Sequence, residues 1–225
     1  MDAMWIAFQP IVDPAGSMRG YEAFLRSDAP DFATAASVLE LAETLDRSQE
    51  LGRLVRERVA GELAAAIPSS LVAFVNLHPH ELLDERLFDT SAPLSLSASH
   101  IVLEITERAS LSEVPDVKAR VARLRALGYR IAIDDLGAGY AGLTSITLLE
   151  PEIVKLDMSL VRDIDRAPTS QRVVAALTAM CQSLGVLTVA EGVETQAERD
   201  TVVELGCDLL QGYFFARPTR GIPQV

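Results

Sequence analysis

The sequence predicts an α/β fold, a TIM-like (β/α)8 barrel in a single domain spanning 1–225. Three observations predict it. Short apolar runs each end in polar residues, amphipathic helical stretches with cap signals separate them, and no GxGxxG or Walker A loop opens the series. The main rival, an open doubly wound sheet, wants such a loop and spreads its strand ends along an edge. A barrel brings them to one mouth.

The predicted strands are Leu71–Asn76, Ile101–Glu104, Arg130–Asp135, Ile153–Asp157, Leu187–Glu191 and Asp208–Gln211, composed like strands buried on both faces. Among the helices, Val117–Leu127 places Val117, Val121, Leu124 and Leu127 on one stripe, with Gly128 as the stop. The helix from Gln171 ends in the same way at Gly185. Thr195 and Glu198 form a capping box that opens the next helix, and Gly206 breaks it. Earlier in the chain, Val38, Leu41, Ala42 and Leu45 form a stripe that reads as core. The uncharged stretch Val173–Ala190 is interrupted by Gln182, Ser183 and Gly185, so it reads as helix and buried strand, not as a membrane span. Met1–Trp5 has neither a basic flank nor an apolar h-region, so the expectation is a cytoplasmic chain without membrane insertion.

With 225 residues, 49% of them hydrophobic and 23% charged, the chain can bury a sizeable core and is not a disordered segment. Its net charge of -12 argues against coating a DNA or RNA duplex or an anionic membrane, so an anionic ligand needs a local cationic site. Cys181 and Cys207 have no zinc spacing and read as reduced, buried and structural.

The mouth of such a barrel would collect Glu22, Asn76, Glu104, Asp134, Asp135, Lys155, Asp157, Glu191 and Gln211. Crowded carboxylates repel and take up protons unless cations neutralise them, and an all-oxygen set points to Mg²⁺ or Mn²⁺ rather than zinc. Asp134 and Asp135 would face opposite ways inside a strand, but a turn at its end can aim both at one site and bridge two metals, which favours phosphoryl chemistry. Taken singly, each acid also reads as a solvated loop residue; coincidence at every strand end favours the site. His78 and His80 form an HxH pair that either binds a transition metal or, more ordinarily, sits at a helix start or on the surface; His100 reads as solvated.

Gln9-Pro-Ile-Val and Gly20-Tyr-Glu-Ala-Phe-Leu-Arg26 resemble the opening of EAL domains, the cyclic di-GMP phosphodiesterases, with Glu22-Ala23-Phe24 in place of Glu-Ala-Leu. The resemblance runs on through Val75-Asn76-Leu77, Leu103-Glu104-Ile-Thr-Glu107, Asp134-Asp135-Leu-Gly-Ala-Gly-Tyr140, Lys155-Leu-Asp157, Ala190-Glu191-Gly-Val-Glu194 and Gln211-Gly-Tyr213. It implies an EAL-type barrel with one early antiparallel strand. It also implies a first metal on Glu22, Asn76, Glu104 and Asp134, and a second on Asp134, Asp135 and, partly through water, Glu191. By the same resemblance Lys155 stands beside the attacking water, Asp157 and Gln211 support the inner shell, and Arg26 clamps a phosphate. Gln9 would lie against the nucleotide, while Glu107 and Glu194 would anchor the loop after Asp135.

The implied activity is hydrolysis of one phosphodiester bond of cyclic di-GMP to linear pGpG with two Mg²⁺ or Mn²⁺ ions, Ca²⁺ permitting binding but suppressing turnover. A homodimer and an upstream sensor domain are the implied partners. The alternative is an EAL-like receptor or interaction domain without turnover, although no inner-shell ligand position is lost. Two further departures from the pattern matter: Phe24 enlarges the residue beside Glu22, and the 134–143 loop lacks an aromatic and several hydroxyls.

Overall fold

The structure, a computed structural model, describes residues 3–29, 34–66, 71–106, 111–138 and 142–221. Its strands are β1 (Met4–Val12), β2 (Met18–Ser27), β3 (Val72–Asn76), β4 (Ile101–Thr106), β5 (Arg130–Leu136), β6 (Ile153–Leu156), β7 (Leu187–Ala190), β8 (Leu209–Leu210) and β9 (Thr219–Arg220). The α-helices are α1 (Ala35–Thr44), α2 (Ser48–Ala66), α3 (Val117–Leu127), α4 (Gly142–Leu149), α5 (Met158–Val161), α6 (Pro168–Leu184) and α7 (Gln196–Glu204). The sheet order is β2-β3-β4-β5-β6-β7-β8-β1-β9, and a β1–β2 pairing closes the barrel with β9 as an extra strand outside the circuit.

The parallel ladder runs unbroken from β2 to β8, while β1 is antiparallel to both β2 and β8. The connection between β1 and β2 explains that exception. Asp13 Oδ1 accepts from the amides of Ala15 and Ser17, each at 2.9 Å, and Gly16 adopts φ 81. A tight turn of this kind makes a hairpin, and a hairpin makes antiparallel neighbours.

Inside the barrel, Ile11, Phe74, Val102, Ala132, Ile153 and Val189 form a closed apolar plug. Residues of the opposite pleat, such as Val75, Leu103, Ile131, Ile133, Val154 and Leu156, join the larger core beneath the helices. Gly20 also belongs to the inner side, because a Cβ there would stand 2.5 Å from the Val72 carbonyl oxygen and 3.3 Å from the Phe74 ring. The large ring fills the space that the small residue leaves.

The helix signals are met in detail. On α3, Val117, Val121 and Leu124 are buried and Gly128 closes the helix in the left-handed region. Thr195 and Glu198 make the reciprocal capping box of α7, and Gly185 ends α6. Cys181 and Cys207 are free and buried, with burial pushing the Cys207 thiol up to about 12. Among the described residues no helix is long and apolar enough to cross a membrane.

Three details differ from expectation. β6 stops at Leu156 because Asp157 caps α5, and β8 contains only two residues. On α1, Ala42 is buried and Val38 packs on the core, but Leu41 and Leu45 are 37% and 55% exposed. α1 packs chiefly against α2 and β2, and the Leu41 and Leu45 side of the stripe stays open to solvent. The following helix α2 carries charge inward: Arg53 pairs with Asp84 at 2.7 Å, and the buried Arg56 pairs with Glu81, whose carboxyl burial pushes up. Those pairs tie α2 to the short 3-10 turn Pro79–Leu83.

Gly20→Ala forces a Cβ into the plug and is expected to lower stability by about 1–3 kcal/mol in urea denaturation. An unchanged midpoint would show that the interior has room to spare.

Candidate active site

The pleat turns the plug into a foundation for polar groups. Moving two residues toward the mouth along each strand leads from Gly20 to Glu22, Phe74 to Asn76, Val102 to Glu104, Ala132 to Asp134 and Ile153 to Lys155. The same step leads from Val189 to Glu191 and from Leu209 to Gln211; on antiparallel β1 it runs backward, from Ile11 to Gln9. One apolar layer therefore carries one polar layer.

At the centre of that layer is Lys155, fully buried. Its Nζ donates to Glu22 Oε2 at 2.9 Å and lies 2.8 Å from Glu104 Oε1, 3.0 Å from Asp134 Oδ1 and 2.7 Å from Glu191 Oε1. Burial opposes the lysine's charge, but Asp134, Glu104, Glu191 and Glu22 overcome it and hold the ammonium well above the ordinary lysine value. The carboxylates are less well served. Burial, reinforced by Glu22, pushes Glu104 well above the usual range, and burial pushes Glu191 up to about 8 against the pull of Lys155.

One ammonium among four carboxylates leaves negative charge unmet. Glu104 and Asp134 are near Lys155 without hydrogen-bond geometry: both Glu104 oxygens and Asp134 Oδ1 are buried with no hydrogen-bond partner among the described residues. Glu22, Glu104 and Asp134 each offer an oxygen, all within 4.8 Å of one another, and Asp134, Asp135 and Glu191 do the same. Asp134 is common to both groups. Oxygen-only donors with unmatched charge fit hard divalent cations, in two positions that share one carboxylate.

The backbone brings the adjacent aspartates together. β5 carries a bulge between Ile133 and Leu136, and Asp135 adopts φ 60, so neighbours that would alternate are turned to one side. Asn76 closes the first group, its Nδ2 3.3 Å from Glu22 Oε1. Gln211 Nε2 donates to Glu22 Oε2 at 2.7 Å and to Gln9 Oε1 at 3.1 Å, and Gln9 Nε2 donates to the Ala216 carbonyl at 3.0 Å. Asp157 is buried and caps α5, accepting from the Ser159 amide at 2.9 Å.

Over this layer lies a cavity of about 500 Å³ whose walls include Gln9, Phe24, Asp135, Asp157, Glu191 and Gln211. Arg26 is not among its walls but lines an adjoining apolar cavity of about 220 Å³ that shares Phe24 as a wall. At the rim, Glu194 Oε1 pairs with Arg162 at 3.1 Å, a partner no sequence signal indicated, and Tyr213 also lines the mouth. Glu107 lies outside the described residues, as does part of the loop it was expected to anchor.

The histidine pair takes its ordinary role. His78 Nδ1 accepts from the His80 amide at 3.2 Å to cap the Pro79–Leu83 turn, which assigns the ring proton to Nε2, facing Glu43 at 3.5 Å. Neither nitrogen of that ring then offers a lone pair to a metal.

The sequence matches the family model described as "EAL domain" over residues 2–218. The chain belongs to the EAL domain family. Among curated proteins it is 30% identical over 221 residues to the bifunctional diguanylate cyclase/cyclic di-GMP phosphodiesterase MucR of Pseudomonas aeruginosa, covering 94% of this chain and 32% of that protein. It is 36% identical over 147 residues to the cyclic di-GMP phosphodiesterase RocR of the same organism, covering 64% of this chain and 38% of RocR. The chain thus spans about a third of the length of these relatives. Among solved structures, a standalone EAL protein from Vibrio cholerae in its c-di-GMP-bound form superposes with a TM-score of 0.86 at 28% identity, covering 99% of this chain and 96% of that one. Klebsiella pneumoniae BlrP1, in a calcium and cyclic di-GMP complex, also gives 0.86 at 30% identity, covering 98% and 57%.

The raised Glu191 carboxyl gives this EAL domain a testable pH dependence. A carboxyl at about 8 when folded and near its ordinary 4.5 when unfolded holds extra protons in the folded state between those values. The metal-free protein should therefore lose stability as pH rises through that window, and Mn²⁺, which needs the carboxylates ionised, should stabilise it most at the upper end. Thermal melts in chelator and in Mn²⁺ at both ends of the window check this; a Mn²⁺ shift that is larger at the acid end would contradict it.

Proposed function

We propose that this domain hydrolyses one phosphodiester bond of cyclic di-GMP, giving linear pGpG, with two divalent cations, Mg²⁺ or Mn²⁺. The observation that carries the proposal is the pair of carboxylate groups sharing Asp134 above a buried lysine. EAL relatives whose names specify cyclic di-GMP phosphodiesterases, and solved relatives holding that nucleotide with calcium or manganese, support the substrate and the kind of ion.

Glu22, Asn76, Glu104 and Asp134 would hold one cation, and Asp134, Asp135 and Glu191 the other. When bound, such ions make water a stronger acid near neutral pH and draw charge from a phosphate's oxygens. The protein's own groups do the remaining work. Gln211 fixes the Glu22 carboxylate, so the first group does not need to be ordered at the moment of binding. Lys155, fixed in place before substrate arrives, orients the attacking water and offsets charge as it moves toward the leaving 3′-oxygen. Asp157, buried in the wall of the cavity, caps α5 and steadies its start beside the mouth. Gln9 would contact the nucleotide from the wall of the cavity, Arg26 would bind a phosphate, and Glu194 with Glu107 would hold the loop after Asp135.

A cytoplasmic setting, homodimerisation and an upstream sensor belong to the same proposal, resting on family resemblance.

Incubation with cyclic di-GMP and Mg²⁺ or Mn²⁺, followed by product separation, tests the reading. The expected product is pGpG, formed only with added metal, with Ca²⁺ supporting binding but little turnover. Product formation that survives exhaustive chelation would contradict it, and binding without product in any metal would favour the receptor alternative. Glu22→Ala should abolish turnover. Lys155→Ala should lower kcat by about 10²–10³-fold while leaving Ca²⁺-supported nucleotide affinity within a few fold; equal losses in both would assign Lys155 a merely structural role.

A further inference from the structure

Position 24 combines a departure from the Glu-Ala-Leu triplet with an unusual neighbour. Glu22, Phe24 and Arg26 are alternate residues of β2 and share one face of the strand. Phe24 separates the cavity over the carboxylates from the smaller apolar one, and Arg26 lies on the second side. The Arg26 guanidinium carbon is 5.1 Å from the centre of the Phe24 ring, within cation–π range. Its Nη1 donates to the Leu25 carbonyl at 2.9 Å. Among the described residues Arg26 has no carboxylate partner, in a protein of net charge -12.

An arginine held by a carboxylate is neutralised before a phosphate arrives, whereas one held by a ring face keeps its full charge. An arginine held by neither must be ordered when the ligand binds, and that ordering weakens affinity. We propose that Phe24 is a positioning residue for Arg26, its ring holding the guanidinium at the edge of the site with the charge intact for a substrate phosphate. Leucine has no π face and does not substitute for it. The role of the phosphate rests on the cyclic di-GMP reading; the contact between the two side chains does not.

The contribution expected of one such contact is about two- to fivefold in affinity. Phe24→Leu and Phe24→Trp are each made with Arg26 present and with Arg26→Ala, and cyclic di-GMP affinity is measured by calorimetry in Ca²⁺. Phe24→Leu should weaken binding by that factor when Arg26 is present and have no effect in the Arg26→Ala background, while Phe24→Trp should retain affinity. With Mg²⁺ the loss should appear in KM rather than kcat. Equal losses with and without Arg26 would overturn the proposal, because they would mark Phe24 as packing alone. A second arm needs no nucleotide: the Arg26 Nε–Hε resonance should show a ring-current shift in the wild type and in Phe24→Trp, and lose it in Phe24→Leu. An unshifted wild-type resonance overturns the proposal whatever the binding data. Failure of the wild type to bind cyclic di-GMP overturns the proposed function instead, and the resonance then decides the contact.

Discussion

The site depends on one buried ammonium standing among four carboxylates. Lysine alone in a dry barrel would give up its proton, and the carboxylates without it would take protons up. Set among Glu22, Glu104, Asp134 and Glu191, the buried Lys155 keeps its ammonium, while burial still holds the Glu104 and Glu191 carboxyls above their ordinary range. The match is incomplete in charge: the acids outnumber the base, and among the described residues both Glu104 oxygens and Asp134 Oδ1 have no hydrogen-bond partner. Affinity for hard divalent ions is thus a property of the charge imbalance, before any single ligand is considered.

That imbalance is held by the way the barrel closes. Gln9 and Glu22 are direct register partners across the antiparallel β1–β2 pair, and β1 meets β8 on its other edge. Gln211, one residue beyond β8, donates to both of them. The hydrogen bonds that join the last strand of the parallel ladder to the first hairpin are therefore the ones that orient a candidate metal ligand. Loosening the seam would loosen the site, and the tight Asp13 turn that reverses the chain contributes to the geometry of a carboxylate far from it in space.

Much of this was legible in the residues. The strand ends announced the polar layer because a period of two is a local property, and Gly128, Gly185 and the Thr195–Glu198 box announced helix ends because caps are local too. What escaped was set by neighbours distant in the chain. Nothing near position 162 marks Arg162 as the partner of Glu194, and nothing near position 41 says that Leu41 and Leu45 stay exposed. Nothing in the local sequence around positions 53 and 56 marks Arg53 and Arg56 as the partners of Asp84 and Glu81. Asp134 and Asp135 show the boundary: adjacency suggested a bridge, but the bulge and the left-handed Asp135 that make it geometrically sound exist only in the folded sheet.

The most direct test of the shared-carboxylate account is the stoichiometry and coupling of bound Mn²⁺, read by electron paramagnetic resonance on the intact protein and on Asp134→Asn. The account expects two ions per chain with a spin-coupled signal in the wild type, and loss of that coupling together with weakened binding of both ions when Asp134 is replaced. A single uncoupled ion in the wild type, or two coupled ions that persist in Asp134→Asn, would contradict it.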